Sequence, residues 1–593
     1  MKLDQHNLSP TPPVAAAGRA RRLGLAVALF PFLSIPLIGA QFYFRHDDSA
    51  LLLWAKEFTA PLHHALSPDP AVNGFDKYPG MGPYWRPFIY LYIKGLWEMF
   101  GTTPGPYYVV GGVLFMSAVY FLFRIAEQRW GLAVAVWSCL ALLAAFHGTM
   151  YNLYHLTIQV SFFYQLALLF FFWDYLQRQR GWSLAGMLLF LVPAMGRQTT
   201  PVLMVAILVA EWLGRRGQRL DFLRRNWPAL LLLPPAFYLI SFSPQTSEGS
   251  VLAEGPHLAA IIAFLRERFF YYGGLLTSGV TGILLLTLLG GGVWQHLLQQ
   301  AGSRFRRDRL AGLWLPLTLI VTFTVMALPP LAIYWLVFCC LYLFVRDEQV
   351  RMPIAWAGAS LICFLSARYY HNGYLLESGF AFAMALGVLI VRLSQPLAGW
   401  WQRQICTSRR RVPLLAGGAL VMAVPLAVVL SGRVPALSEP FEVVQIAIDS
   451  NQNFQQVMHY LQRELPAGAQ LYEFSEEELG LTRFDRRHLP LRERARRVKI
   501  MNAEDKLNML RVLGRDDLQI HAAADWPGAG PNPQAYFLAA NAFERELAHQ
   551  RFTLALVREF KRPTDSAALF RWPADRQDLP AAAPAAELLP PQP

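Results

Sequence analysis

Apolar runs long enough to cross a bilayer recur along the chain from about residue 23 to about residue 431. Nothing else constrains the fold as strongly. In hydrocarbon every backbone N–H and C=O must find a partner inside its own segment, so such runs are helices packed on one another. The composition agrees: 54% of the residues are hydrophobic and 16% charged, with a mean hydropathy of +0.29. A soluble globular protein is excluded, and the expected fold class is a polytopic α-helical membrane protein. Window lengths predict about thirteen transmembrane helices, at roughly 23–43, 106–124, 131–147, 157–175, 182–195, 199–213 and 227–242. The remaining six fall at roughly 274–295, 311–328, 331–345, 353–367, 378–394 and 412–431. The first run, Leu23 to Phe44, is too long for a signal-peptide core and shows no cleavage site, so it reads as a helix that stays in the membrane.

The formal net charge is +13, a balance that also suits nucleic-acid binding. The arginines, however, cluster in short loops between apolar runs, and nucleic acid is set aside as a partner. Counting from an inside N-terminus, the loops due in the cytoplasm read "RIAEQRW", "QRQRG", "GRRGQRLDFLRRN", "SRFRRDR", "RDEQVR" and "WWQRQICTSRRRV". Every one carries arginine. The opposite loops include "HGTMYNLYH", "GRQTT", "LPP" and "SARYYHNGY" and are poor in basic residues. The alternation sets the orientation. The five cysteines lie in or beside apolar segments and form no pairing framework.

This yields four regions: a cytoplasmic tail 1–22, a transmembrane domain 23–433 with an outer loop 44–105, an outer domain 434–575 and a disordered tail 576–593. The outer domain alternates helical patterns ("NFQQVMHYLQREL", "AFERELAHQ") with strand patterns ("AQLYEF", "QAYFLAAN", "FTLALVREF", "SAALFRW"), which predicts a C-terminal soluble α/β domain. It shows no acid–base constellation, so its expected role is to shape acceptor access. The Pro- and Ala-rich end "DLPAAAPAAELLPPQP" is low-complexity.

Four polar clusters then fall on the outer side. Asp47 and Asp48 directly follow the first helix, a place where carboxylates are costly to desolvate. The same loop carries "SALLLWAKEFTAPLHHAL" and "YWRPFIYLYIKGLWEMF", both expected as interfacial helices, the second with Arg86. "FHGTMYNLYH" holds His147, Tyr151, Asn152 and His155; "GRQTTP" holds Arg197 and Gln198; "ARYYHNGYLLESG" holds Arg368, Tyr369, His371 and Glu377. A carboxylate can take the proton of an attacking hydroxyl. Arginines can grip a phosphate that is both lipid anchor and leaving group. The chemistry that fits is glycosyl transfer from a lipid-phosphate sugar.

The layout resembles the GT-C superfamily of integral-membrane glycosyltransferases. The resemblance rests on the acidic pair Asp47-Asp48 after the first helix, "WRPF" with Arg86 in the same loop, Arg197-Gln198 ahead of "TTPVLMV", and "RYYHNGYLLESGF" with Arg368, Tyr369 and Gly379. It covers 23 to about 400. Protein O-mannosyltransferases are similar in the first part. A membrane core followed by an outer α/β domain is more like the bacterial lipid A aminoarabinose transferases. Where relatives have Lys-Glu, this chain has Arg197-Gln198 and lacks the acid.

The resemblance implies an inverting enzyme of the bacterial inner membrane, with the C-terminal domain periplasmic. Its partners would be a polyprenyl-phosphate sugar donor, a lipid, glycan or protein acceptor, and membrane lipids. It implies Asp47 and Asp48 as catalytic residues, with Asp47 the base, and Arg86, Arg197 and Arg368 on the donor phosphate. Gln198, Tyr369, His155, His371 and Glu377 would contact substrate. No cofactor is fixed; a divalent cation at the acidic pair stays open.

Plainer readings stand beside these. The acidic pair can mark a helix end, Arg86 can snorkel as an interfacial anchor, and the histidines match no zinc spacing. A transporter or flippase would place ionisable groups near the bilayer midplane, and here helix interiors are nearly free of charge. A polysaccharide polymerase or ligase shares the substrates but relies on a later, larger outer loop. A scaffold presenting the tail is the third alternative.

Overall fold

The computed structural model describes residues 14–44, 48–74, 77, 86–150, 155–215, 217–241, 258–300, 314–365, 375–407, 435–475, 478–479, 501–526, 534–552 and 554–571. The chain divides into two compact units. One comprises Met1–Ala40, Thr59–Leu96 and Pro106–Pro440; the other comprises Gln41–Phe58, Trp97–Gly105 and Phe441–Pro593.

The first unit is helical. Among the described residues six helices are long and apolar enough to cross a membrane: Gly18–Gly39, Pro104–Trp130, Leu156–Arg178, Gly279–Gln300, Pro329–Arg346 and Leu375–Gln395. Shorter apolar helices cover Leu132–Ala145, Gly181–Ala194, Thr200–Gly214, Trp227–Ile240, Leu317–Met326 and Arg351–Leu365. The chain is a multi-pass membrane protein. The helix expected near 412–431 lies outside the described residues. One difference is local: the expected helix 274–295 is two helices, Leu258–Thr277 and Gly279–Gln300. They part at Gly279, whose φ of 53° is left-handed. The sequence hid the first of them because Arg266, Glu267 and Arg268 interrupt its apolar pattern.

The helix Leu375–Thr407 packs along Leu132–Met150. Gly387 allows the approach. A Cβ there would stand 2.8 Å from the Ser138 backbone N and 2.8 Å from the Val134 carbonyl O. Close backbone packing through small residues is how apolar helices associate in lipid. Carboxylates in or at the ends of these helices are matched to cations: Glu127 to Arg124 at 3.1 Å, Asp174 to Arg178 at 3.3 Å, and Glu211 to Arg129.

Asp347, between the helices Pro329–Arg346 and Arg351–Leu365, joins three helices. It meets Arg392 of the Leu375–Thr407 helix, and lies 3.1 Å from His296 Nε2 of the Gly279–Gln300 helix. Burial alone would raise its carboxyl. The His296 hydrogen bond and the Arg392 charge outweigh it and hold the group down at about 2.

The second unit holds a five-stranded sheet of order β2-β1-β3-β5-β4, with β1 Gln470–Glu473, β2 Gln519–Ala522, β3 Ala535–Ala539, β4 Ala555–Lys561 and β5 Ser566–Arg571. β1 runs parallel to β2 and β3, while β5 is antiparallel to β3 and β4. The five consecutive buried residues Ser566–Phe570 mark β5 as an inner strand covered on both faces. Phe474, Trp526, Phe537 and Phe570 build the core. The expected helices and four of the five strands appear; β2, only four residues long, had no visible pattern. Helices Ala503–Val512 and Ala542–Arg551 start at Asn502 and Asn541, whose side chains accept from the third backbone N–H beyond. Asp517 lies in an exposed turn, as its sequence suggests, and there accepts from Arg515 Nε at 2.8 Å and from the Gly468 N–H at 2.9 Å. Those hydrogen bonds hold its carboxyl well below the usual range.

The segment Gln41–Phe58 departs most from expectation. Its helix Asp48–Glu57 is not a surface helix: Asp48 through Ala55 are all buried. The sequence "SALLLWA" is apolar all round, which suits a core and not an interface. It packs on the helix Ala503–Val512.

Candidate functional site

In the membrane unit the chain turns sharply between the helices Gly181–Ala194 and Thr200–Gly214. Pro193 closes the first helix and Pro201 opens the second. The turn is stitched by Arg197 N–H to Ala194 O at 3.1 Å and Thr200 N–H to Arg197 O at 3.1 Å. It presents Arg197, half-buried, with Gln198 exposed beside it.

The Arg197 guanidinium lies over the Phe162 ring at 3.8 Å and 3.8 Å from Glu377 Oε2. Glu377 is wholly buried. Its Oε1 accepts from the Thr199 hydroxyl and from Gln165 Nε2. Gln165 Nε2 also reaches the Thr199 and Thr200 hydroxyls at 3.2 Å, and Thr200 donates to the Ala194 carbonyl at 2.9 Å. The carboxylate that faces Arg197 thus comes from a distant helix. Glu377, expected to contact substrate, is buried here and faces the Arg197 guanidinium as a counter-charge. Thr199 and Thr200 lay within the polar run "GRQTTP" with no role assigned to them, and Phe162 and Gln165 carried no sequence signal. Phe162 and Gln165 read as ordinary helix residues until the fold brings them to this turn.

The segment that begins at Arg86 reaches the same turn. Arg86 precedes the helix Pro87–Phe100, and its carbonyl accepts from the N–H groups of Ile89 and Tyr90 at 3.0 and 3.1 Å. Ile89, one turn on, packs against the Arg197 turn: a Cβ on Gly196 would stand 3.0 Å from Ile89 Cδ1. Burial pushes the Tyr90 phenol up to about 12, and the Arg86 charge works against that rise. Two of the three arginine-bearing segments singled out in the sequence therefore meet. Arg368, Tyr369 and His371 lie outside the described residues. His155 is the N-cap residue of the Leu156–Arg178 helix and is half-buried.

In the second unit Asp48 is the first residue of its helix, where the helix dipole favours a negative charge. Asp47 lies outside the described residues. Ser49 donates to Asp505 Oδ1 at 3.3 Å, and Lys56 Nζ donates to the Arg511 and Val512 carbonyls at 2.6 and 3.3 Å. Lys506 and Glu473, both buried, pair on the neighbouring helix and β1. Among the described residues no group of three or more His, Cys, Asp or Glu side chains is placed to hold a metal ion.

Together these features define a class: a multi-pass helical membrane protein whose polar residues gather at helix ends, with a mixed α/β sheet domain at its C-terminus. No family model matches the chain, and no curated protein matches it. Among solved structures it is similar to ArnT from Cupriavidus metallidurans in the apo state, at 14% identity and a TM-score of 0.41, over 94% of this chain and 98% of that one. The same protein bound to undecaprenyl phosphate matches over the same shares at 13% identity and a TM-score of 0.40.

Proposed function

We propose that this chain is an inverting glycosyltransferase of the bacterial inner membrane. It moves a sugar from a polyprenyl-phosphate donor to a lipid, glycan or protein acceptor at the outer face. The observation that carries this reading is the meeting of the Arg86 and Arg197 segments at Ile89 and Gly196, with Arg197 backed by one buried carboxylate. An arginine at the ends of membrane helices can grip a phosphate through charge-assisted hydrogen bonds while the lipid tail stays in hydrocarbon.

In the reaction, Asp47 takes the proton of the acceptor hydroxyl, with Asp48 beside it. The hydroxyl oxygen attacks the anomeric carbon from the face opposite the phosphate. The bond from that carbon to the phosphate oxygen breaks, and polyprenyl phosphate leaves with the electron pair, held by the arginines. The configuration inverts. No step is assigned to a metal ion.

The test is transfer by the purified protein from a panel of undecaprenyl-phosphate hexoses in proteoliposomes. Asp47→Asn removes basicity and keeps size, and is expected to cost roughly a hundredfold to ten-thousandfold in rate. Normal turnover by Asp47→Asn, Asp48→Asn and the double variant would sink the proposal.

A further inference from the structure

The helix that begins at Asp48 is ten residues long, about 15 Å at 1.5 Å per residue, too short to cross a membrane. It is held at both ends by one helix of the C-terminal unit. At the acid end Ser49 Oγ donates to Asp505 Oδ1 at 3.3 Å, and at the other end Lys56 Nζ caps the Arg511 and Val512 carbonyls. Seven residues separate Ser49 from Lys56, and six or seven separate Asp505 from Arg511 and Val512. The two helices therefore run side by side in the same direction, with their N-termini level. One anchor near each end fixes both the slide and the rotation of the acid helix.

The near anchor is itself fixed. Asp505, buried, has its backbone N–H bound by the Asn502 cap at 2.8 Å. The next residue, Lys506, is tied to Glu473 on β1. A rigid path of side chains runs from the sheet to the residue that follows Asp48.

We propose that Asp505 and Ser49 are positioning residues for Asp48, and that the C-terminal unit sets the place of this carboxylate as well as shaping acceptor access. This rests on the glycosyltransferase reading. Misplacing a base by about 1 Å costs on the order of a hundredfold in rate. The loss falls on turnover, because neither residue is needed to bind the donor.

The test uses the full-length protein in micelles and proteoliposomes. Amide hydrogen exchange is read across residues 48–57, and kcat and KM are read with the undecaprenyl-phosphate hexose that the wild type turns over. Asp505→Ala and Ser49→Ala should each speed exchange at the start of the acid helix by roughly fivefold, the equivalent of one lost hydrogen bond. Each should lower kcat by roughly tenfold to a hundredfold with donor KM within about twofold. Asp505→Asn keeps an acceptor oxygen for Ser49 and should restore most of kcat, which a general loss of stability would not predict. Ser49→Ala removes one oxygen and guards against an Asp505 variant that does not fold. Unchanged exchange, or wild-type kcat in both alanine variants while Asp48→Asn is inactive, would overturn the positioning role alone. Normal turnover in Asp48→Asn together with Asp47→Asn would instead overturn the reaction on which it rests.

Discussion

Asp347 offers a perturbation whose size follows from its surroundings. The carboxylate is 3% exposed, meets Arg392, and lies 3.1 Å from His296 Nε2. Its carboxyl sits at about 2 instead of 3.8. At about 1.4 kcal/mol for each tenfold change in proton affinity, that difference is worth about 2.5 kcal/mol. The sign follows from linkage. A carboxyl depressed in the folded state adds stability above its ordinary value, and the contribution is lost as pH falls from about 4 to about 2. Asp347→Asn keeps an oxygen that can accept from the Gln349 N–H, bonded at 3.0 Å in the wild type, but removes the charge that faces Arg392. At pH 7 the variant should be less stable by about 2–3 kcal/mol, somewhat under the 3–5 kcal/mol for breaking a fully buried pair. Unfolding in detergent micelles, followed by tryptophan fluorescence, measures the gap at pH 7 and again near pH 2.5. Acid acts on the other carboxylates of both proteins alike, so the gap isolates Asp347. It should shrink toward zero in acid. A gap of the same size at both pH values, or none at pH 7, refutes the electrostatic account of this junction.

Other expectations can be checked alongside. Glu377→Ala leaves Arg197 without its buried counter-charge and should cost about 3–5 kcal/mol in micellar unfolding. Arg197→Lys gives up the planar fork and the stacking on Phe162, and should weaken retention of undecaprenyl phosphate by roughly tenfold, read by native mass spectrometry. Gly387→Leu drives a side chain into Ser138 and Val134 and should abolish recovery of folded, monodisperse protein, whereas Gly18→Leu, with nothing within 4 Å, should not. Alkaline phosphatase fused at about residue 434 should be active and at about residue 217 inactive, as basic loops on the inside require; the reverse result removes the outer-face assignment.

The membrane helices were legible in sequence because hydropathy is a local property. Leu156–Arg178, expected at about 157–175, is the plainest case. The turn at Arg197 was equally visible, bracketed by prolines and bearing a charge that breaks the positive-inside trend. What escaped was every pairing across sequence. Beside Arg197 the chain has Gln198, and nothing local says that a carboxylate returns from Glu377, 178 residues after Thr199. The acid helix misled for a different reason. An apolar stretch beside a membrane span and an apolar stretch in a domain core have the same composition. Only its partner Ala503–Val512 distinguishes them, and that partner lies on the other side of the whole membrane domain in the sequence.

That separation has a consequence for biosynthesis. Ser49 and Asp505 are 456 residues apart. At about 5–20 residues per second the ribosome needs about 20–90 s to pass from one to the other. Through that interval the membrane helices can insert in order, while the segment after the first span has no helix to lie against. The helix that begins at Asp48 can pack on Ala503–Val512 only when the last quarter of the chain has emerged and folded. A nascent or truncated chain would carry the arginine turn and an apolar bundle, while the Asp48 helix would lack its partner.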